Sequence, residues 1–233
     1  MPDVTMLSAL SVVLQVSIDA LLGYVSFDNI ISRRYDKAYR SEDYFWGVDP
    51  DPLCMDVLRF MPPGKRKRLI EIGCGEGKDC VFFARTGYDV TGVDISTVGL
   101  KKARVLAQRA NVNLDLIKAD IVFYQSREKY DIYYSSGALH LITSEMKQSA
   151  FEHYKKNTYP GGIHAISVKV DKPFLKNSAG RDESPSTWYS GELLTFYRDW
   201  KILFCEERIK TDSYSGQEYQ YAVNTVIAQK AED

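Results

Sequence analysis

Residues 69–94 open Leu69-Ile70-Glu71-Ile72-Gly73-Cys74-Gly75-Glu76-Gly77, pass through Asp79 to Arg85, and close on Tyr88 to Val93 and Asp94. The order is strand, glycine turn, helix, strand, carboxylate. Glycines let the chain turn tightly off a buried strand and let backbone approach a ligand, while the next helix aims its N-terminus at the same place. Asp94 follows roughly 20 residues later, at the end of the second strand, where an acid can accept both hydroxyls of a ribose. Together these residues read as a nucleotide-binding half-fold.

The third glycine narrows the nucleotide. A dinucleotide fingerprint is G-x-G-x-x-G, whereas this chain has Gly73, Gly75 and Gly77, with Lys78 where that pattern ends on glycine. The bulk of Lys78 argues against a pyrophosphate packed over the helix start. The G-x-G-x-G pattern resembles motif I of the class I S-adenosylmethionine (SAM)-dependent methyltransferases. Three later segments match that family in order. Lys118-Ala119-Asp120-Ile121 closes the apolar run Leu114 to Ile117 and offers a carboxylate for an adenine amino group. Tyr130 to Ser135 with Ser136-Gly137-Ala138-Leu139-His140 resembles the fourth strand and motif IV. Pro160-Gly161-Gly162 before Ile163 to Val168 resembles the turn into the fifth strand.

The resemblance implies a Rossmann-like, doubly wound α/β fold with a seven-stranded, mostly parallel sheet and a C-terminal antiparallel pair. It also implies SAM as cofactor, with S-adenosylhomocysteine as product. The implied cofactor contacts are Tyr39, Glu71, Gly73, Gly75, Gly77, Asp94, Ile95, Asp120, Ile121 and Ser135. The stretch Gly191 to Trp200, Lys210-Thr211-Asp212, Gly216 and the ending Ala228-Gln229-Lys230 resemble the C-terminal part of the tellurite-resistance methyltransferases. Tyr35 to Gly47 is similar to the lead-in of their thiopurine-type relatives. This implies a small-molecule methyl acceptor, with soft sulfur, selenium or tellurium nucleophiles as candidates.

Composition sets bounds. The chain has 233 residues, 30 Lys and Arg against 31 Asp and Glu, and four cysteines. That length supports one substantial core, and balanced charge disfavours nucleic acid as a partner. The cysteines lack paired metal spacing, so no metal site is expected, and they point to a reducing compartment, the cytoplasm. Cys54, Cys74, Cys80 and Cys205 read as structural thiols.

Val4 to Val25 is largely apolar, but Thr5, Ser8, Ser11, Gln15 and Asp19 recur at helical spacing and form one polar stripe. The segment reads as a helix packed on its own domain or across a homodimer, and stable membrane insertion is not expected, since Asp19 interrupts the apolar run. Residues 1–64 are expected to form a helical extension and cap over the cleft, and 65–233 the methyltransferase domain. Within the cap, Asp51-Pro52 suits a helix start and Met61-Pro62-Pro63-Gly64 a stop. Tyr44 and Trp46 lie in an aromatic loop whose faces attract a cation such as the cofactor sulfonium, and both are candidate acceptor contacts.

Further helices are expected over Asp79 to Arg85, Ser96 to Ala110 with Ser96 as cap, and Ser144 to Asn157. Strand-like runs Trp200 to Ile209 and Tyr219 to Ala228, separated by Asp212 to Gly216, predict the antiparallel pair. His140, at the carboxyl end of the fourth strand, is the candidate catalytic base; His153 and His164 read as structural. Asp171 to Tyr189 has the composition of a loop over a ligand, and Arg181 and Trp188 are its candidate acceptor contacts. Two other readings stay open at this point: a SAM-binding sensor or assembly protein without turnover, and an NAD-dependent oxidoreductase. The second shares the half-fold but accounts for neither Asp120 nor the Pro-Gly-Gly segment.

Overall fold

The computed structural model describes residues 6–10, 27–64, 66–175, 188–214 and 217–232. Its centre is β1 (Arg68–Ile72), four of whose five residues are buried. Side chains alternate across a strand, so the apolar run of β1 feeds two cores. Ile70 and Ile72 enter one with Tyr133, Phe151, Ile166 and Trp188. Leu69 enters the other with Phe83, Val90, Ile132, Tyr134 and Ile163. Each fully buried aliphatic side chain stabilises the fold by about 1.5–3 kcal/mol, which makes the two-sided pattern the main fixer of register.

The remaining strands are β2 (Asp89–Asp94), β3 (Asp115–Lys118), β4 (Tyr130–Ser136), β5 (Thr158–Val170), β6 (Lys201–Tyr214) and β7 (Gln217–Gln229). They form one seven-stranded sheet in the order β3-β2-β1-β4-β5-β7-β6. The strands from β3 to β5 are parallel, and β7 runs antiparallel between β5 and β6. This is the doubly wound α/β sheet with an antiparallel C-terminal pair that the resemblance implied.

The helices are α1 (Phe27–Ala38), α2 (Leu53–Phe60), α3 (Lys78–Thr86), α4 (Thr97–Arg109), α5 (Ser144–Lys156) and the short α6 (Glu192–Thr195). Ser96 caps α4 by accepting the Gly99 N–H at 2.9 Å. Asp51 accepts the Leu53 N–H at 2.9 Å at the head of α2, and Leu53, Cys54 and Val57 bury one face of that helix. Met61 ends it ahead of two prolines. No described helix is long and apolar enough to cross a membrane. Of the expected N-terminal helix, only the helical residues 6–10 lie within the described residues.

Two expectations are corrected. Pro160-Gly161-Gly162 is not a turn ahead of the fifth strand but an irregularity within it: Tyr130 pairs with Thr158, and pairing resumes at Ile132 with Ile163. Four residues of β5, 159–162, thus stand against Asp131 alone on β4. Gly161 takes φ +72°, and a Cβ on Gly162 would lie 2.8 Å from the Asp131 carbonyl oxygen. The break near Asp212 is also narrower than expected, since β6 and β7 stay paired out to Tyr214 and Gln217. Beyond the last β5–β7 pair, Val170 with Ala222, this hairpin continues on its own past the carboxyl end of β5.

Candidate active site

Strand order reverses between β1 and β4, which puts a crevice outside the carboxyl ends of the parallel strands. A cleft of about 1300 Å³ lies there. Its β1 side is shaped by main chain. The N–H groups of Gly73 and Cys74 donate to the Val93 carbonyl at 2.8 and 3.0 Å, tying the glycine turn to the end of β2. Gly73 has φ +80°, and a Cβ there would fall 2.2 Å from that of Ala138. Gly75 lines the cleft at φ +52°. Gly77 is placed differently: it caps α3 and faces α4, where a Cβ would meet that of Ala103 at 2.6 Å.

Three carboxylates surround this turn. Asp94 accepts the Gly75 N–H through Oδ2 and the Ser96 N–H through Oδ1, each at 2.8 Å. Burial pushes its pKa up to about 6, against the pull of those two N–H groups. A carboxylate offers about four lone-pair sites, so capacity remains for two further hydroxyl donors. Asp120 and Ile121 line the cleft after β3, and Asp120 Oδ1 accepts the Val122 N–H at 2.9 Å. Glu71 is 4% exposed, and its Oε2 accepts no hydrogen bond from the described residues. Burial, then Asp79, raises its pKa well above the usual carboxylate range. An uncompensated buried acceptor is costly, and the ammonium group of an amino-acid ligand resting on the glycine turn would satisfy it. The donor set therefore fits SAM: an acid for the ammonium, an acid for a ribose, and an acid after β3 for an adenine amino group.

Residues from the stretch 35–47 line the same half from the other side. Tyr39, at the end of α1, is 3% exposed and packs over Gly99, where a Cβ would touch its ring at 3.0 Å. Its hydroxyl accepts the Trp46 indole N–H at 3.0 Å. Trp46 lines the cleft, whereas Tyr44 places its ring 4.7 Å from the Lys102 ammonium, over α4. Asp36 accepts the Ser96 hydroxyl at 2.5 Å and the Val98 N–H at 3.2 Å, docking α1 on the start of α4.

The other half lies over β4, β5 and β7. Ser135 is buried and donates to the Ile72 carbonyl at 2.8 Å, inside the sheet, while Ser136 and Gly137 line the cleft. His140 lines it from a single 3-10 turn, Leu139–Leu141, and is 7% exposed. Trp188 forms part of the wall but is 1% exposed, its indole donating to the Leu139 carbonyl at 3.2 Å between Phe151 and Phe196. Ser167 and Lys169 of β5 and Gln220 and Tyr221 of β7 complete this half. Arg181 lies outside the described residues. His164 is fully buried and joined to Thr158 and Tyr197, and burial lowers its pKa to about 3, which keeps it neutral. A hydrogen bond with Cys80 pulls Cys74 down, but burial together with the charges of Asp94 and Glu71 more than offsets it and raises the pKa to about 11, so it is a thiol at neutral pH.

Sequence reasoning missed Glu76, Asp36, Lys169 and Tyr221. For Glu76 a signal existed: a carboxylate between two glycines that the turn itself does not require. For Lys169 the signal was the polar alternation Ser167, Lys169, Asp171 at the end of an apolar strand.

Residues 69–162 match the family model described as "Methyltransferase domain". The probable S-adenosyl-L-methionine-dependent methyltransferase TehB of Haemophilus influenzae is 24% identical over 207 residues, 82% of this chain and 67% of that protein. The crystal structure of TehB from Haemophilus influenzae matches with a TM-score of 0.70 at 20% identity, covering 85% of this chain and 66% of that one. The N-methyltransferase NodS from Bradyrhizobium japonicum WM9, in complex with S-adenosyl-L-homocysteine, matches with a TM-score of 0.62 at 15% identity, covering 86% and 98%. The chain thus spans about two thirds of the length of TehB. The glycine turn, Asp94 and Asp120 all fall within residues 69–162. The chain thus carries a methyltransferase domain over residues 69–162, resembles the class I S-adenosylmethionine-dependent methyltransferases in fold, and is similar to TehB.

Proposed function

We propose that this chain transfers a methyl group from SAM to a small-molecule acceptor held over the carboxyl ends of β4, β5 and β7, and that the acceptor atom is a soft sulfur, selenium or tellurium nucleophile. When bound, SAM supplies an electrophilic methyl carbon for in-line displacement. Glu71, Asp94 and Asp120 hold the donor, the glycine turn seats its amino-acid end, and Tyr39 and Trp46 cover it. With the donor fixed, alignment of the acceptor supplies much of the acceleration.

The observation that carries the acceptor class is the single imidazole of the acceptor half. His140 is the only imidazole among the described residues lining the cleft; the hydroxyls Ser136 and Ser167, 3.5 Å apart, lie at the ends of β4 and β5, with Lys169 further along β5, Asp171 just past it and Tyr221 on β7. A hydroxyl or amine acceptor needs a positioned base, whereas thiolates and their heavier analogues are nucleophilic near neutral pH. His140 is assigned to acceptor orientation, with proton removal where the acceptor arrives protonated. Arg181 and Trp188 are assigned to the acceptor side, with Trp188 acting as wall. Residues 1–64 are assigned to the cap, the N-terminal helix to a homodimer contact, and the protein to the cytoplasm. The free thiols Cys54, Cys74, Cys80 and Cys205 suit a reducing compartment.

The test is release of S-adenosylhomocysteine from SAM in the presence of thiols, selenite, tellurite, thiopurines and hydroxylated metabolites, with calorimetry of SAM and NAD alongside. Turnover is expected with the soft nucleophiles and binding with SAM alone. Turnover confined to hydroxyl or amine acceptors would overturn the acceptor class, and failure to bind SAM would overturn the whole assignment.

A further inference from the structure

Glu76 sits between Gly75 and Gly77, is 2% exposed, and turns its carboxylate away from the glycine turn toward the cap. Oε2 accepts the Phe45 N–H at 2.7 Å and the Trp46 N–H at 3.3 Å. Oε1 meets the Lys102 ammonium at 2.5 Å as an ion pair. Lys102, on α4, also donates to the carbonyls of Ser41 and Asp43 at 3.0 and 2.7 Å. One acid and one base thus bring together the glycine turn, α4 and both ends of the loop 41–46.

The anchors on either side show why this matters. Upstream, Asp36 and Tyr39 fix the end of α1 to α4. Downstream, the Asp51 N–H donates to Asp79 Oδ1 at 2.8 Å. Between them the loop carries Phe45 and Trp46, about half exposed on their outer side, and both line the cleft. The turn at the other end of the clasp is the one whose Gly75 N–H is already committed to Asp94. The acid that tethers the loop therefore lies next to the backbone that seats the cofactor.

We propose that Glu76 is a positioning residue of the cofactor site, clasping the loop 41–46 down onto the glycine turn with Lys102 as its counter-ion, so that the clasp sets how long the cofactor stays bound. The proposal rests on the reading that this cleft holds SAM. Glutamine cannot replace the acid: its single carbonyl oxygen serves either the loop N–H groups or Lys102, and its NH₂ then faces another donor. Charge-assisted bonds to two adjacent backbone N–H groups are among the stronger tethers a loop can have.

Two measurements on the full chain decide it, made on wild type, Glu76→Gln, Lys102→Met and the double variant. Hydrogen exchange in the ligand-free protein should accelerate at least tenfold at the Phe45 and Trp46 amides in either single variant, with the β1 amides unchanged. Stopped-flow release of S-adenosylhomocysteine should be at least tenfold faster in each single variant and no faster again in the double. Unchanged exchange at residues 45 and 46, or unchanged release, overturns the proposal. Equal acceleration of exchange in β1 also overturns it, because Glu76 would then merely stabilise the fold. If Glu76→Gln does not fold, Lys102→Met alone still decides, since that lysine lies nearer the surface. A wild-type protein that takes no S-adenosylhomocysteine sinks the cofactor reading, and the exchange experiment still judges the clasp.

Discussion

The two halves of the cleft are built by different means. Over β1, β2 and β3, the residues that line the cleft come mostly from 71–95, and their geometry is set by main chain: Gly73 and Gly75 at positive φ, and Asp94 locked by two backbone N–H groups. Over β4, β5 and β7 the lining comes from positions as far apart as Ser136 and Tyr221, and the groups presented are side chains. Lys172, at the rim, is paired to Glu207 and Ser190. A donor shared by a whole family is best gripped by backbone shape, which substitution cannot easily alter. An acceptor that differs between relatives is best chosen by side chains on strand ends, which can change without disturbing the sheet.

The largest expected effect follows from the glycines. Gly73→Ala places a Cβ against that of Ala138 in a backbone conformation unfavourable to L-residues, at a combined cost of about 3 kcal/mol or more. Denaturant unfolding should show that loss, and S-adenosylhomocysteine binding should fall below detection. Gly137→Ala is the matched substitution on the acceptor side. It has a similar φ of +70° but open space around it, so the expected cost is only about 1–2 kcal/mol, with donor binding retained. Equal effects would mean that the donor half is no more tightly specified than the other. Next in size, Asp94→Ala should weaken SAM binding by roughly 1–3 kcal/mol, the scale of lost charge-assisted hydrogen bonds. His140→Ala should leave SAM affinity unchanged in the same calorimetric titration. A His140 variant that loses donor affinity would join the two halves.

The same contrast governs what could be read in advance. The cleft lining on the β1 side was legible because a glycine turn, a helix start and an acid at the next strand end are local chemistry within one stretch of chain. Pro160-Gly161-Gly162 was misread because turns and bulges use the same residues. What distinguishes them here is the pairing of β5 with Tyr130 and Ile132, almost thirty positions earlier. Ser135 and Ser136 differ only in which face of β4 they occupy, and a one-residue offset reverses that. Glu76 gained no role from sequence because its partners Phe45 and Trp46 lie in a loop about thirty residues before it and Lys102 on a helix after it. Trp188 looked like a ligand contact because its burial between Phe151 and Phe196 follows only from tertiary packing.

A smaller effect is expected from pH. Asp94 has its pKa raised to about 6 in the ligand-free fold, chiefly by burial. Ribose hydroxyls donate to the charged form, so cofactor affinity should be full above pH 6 and fall by up to roughly tenfold per pH unit below it. For stability the sign is opposite to that of an ordinary paired acid. The folded chain holds a proton that the unfolded chain has already released, so this group's contribution declines as pH rises from about 4 to about 6 and is constant beyond. Titration of S-adenosylhomocysteine between pH 5 and pH 8 checks the binding side. A flat profile would show that Asp94 does not carry the ribose.

The smallest expected effect tests whether the halves are independent. Trp188 donates its indole N–H to the carbonyl of Leu139, the residue before His140, and so ties the end of the 171–189 segment to the turn that presents the imidazole. Trp188→Phe removes that bond and keeps most of the apolar surface, so about 1 kcal/mol should be lost. For a chain of this size the midpoint of thermal unfolding then falls by roughly 2–4 °C. If the donor half is fixed by its own main chain, SAM affinity stays constant while acceptor KM rises as the His140 turn loosens. A parallel fall in SAM affinity would mean that the Ala138 contact under Gly73, one residue before Leu139, carries the disturbance across β1 and β4, and the glycine turn would then depend on the acceptor wall for its shape.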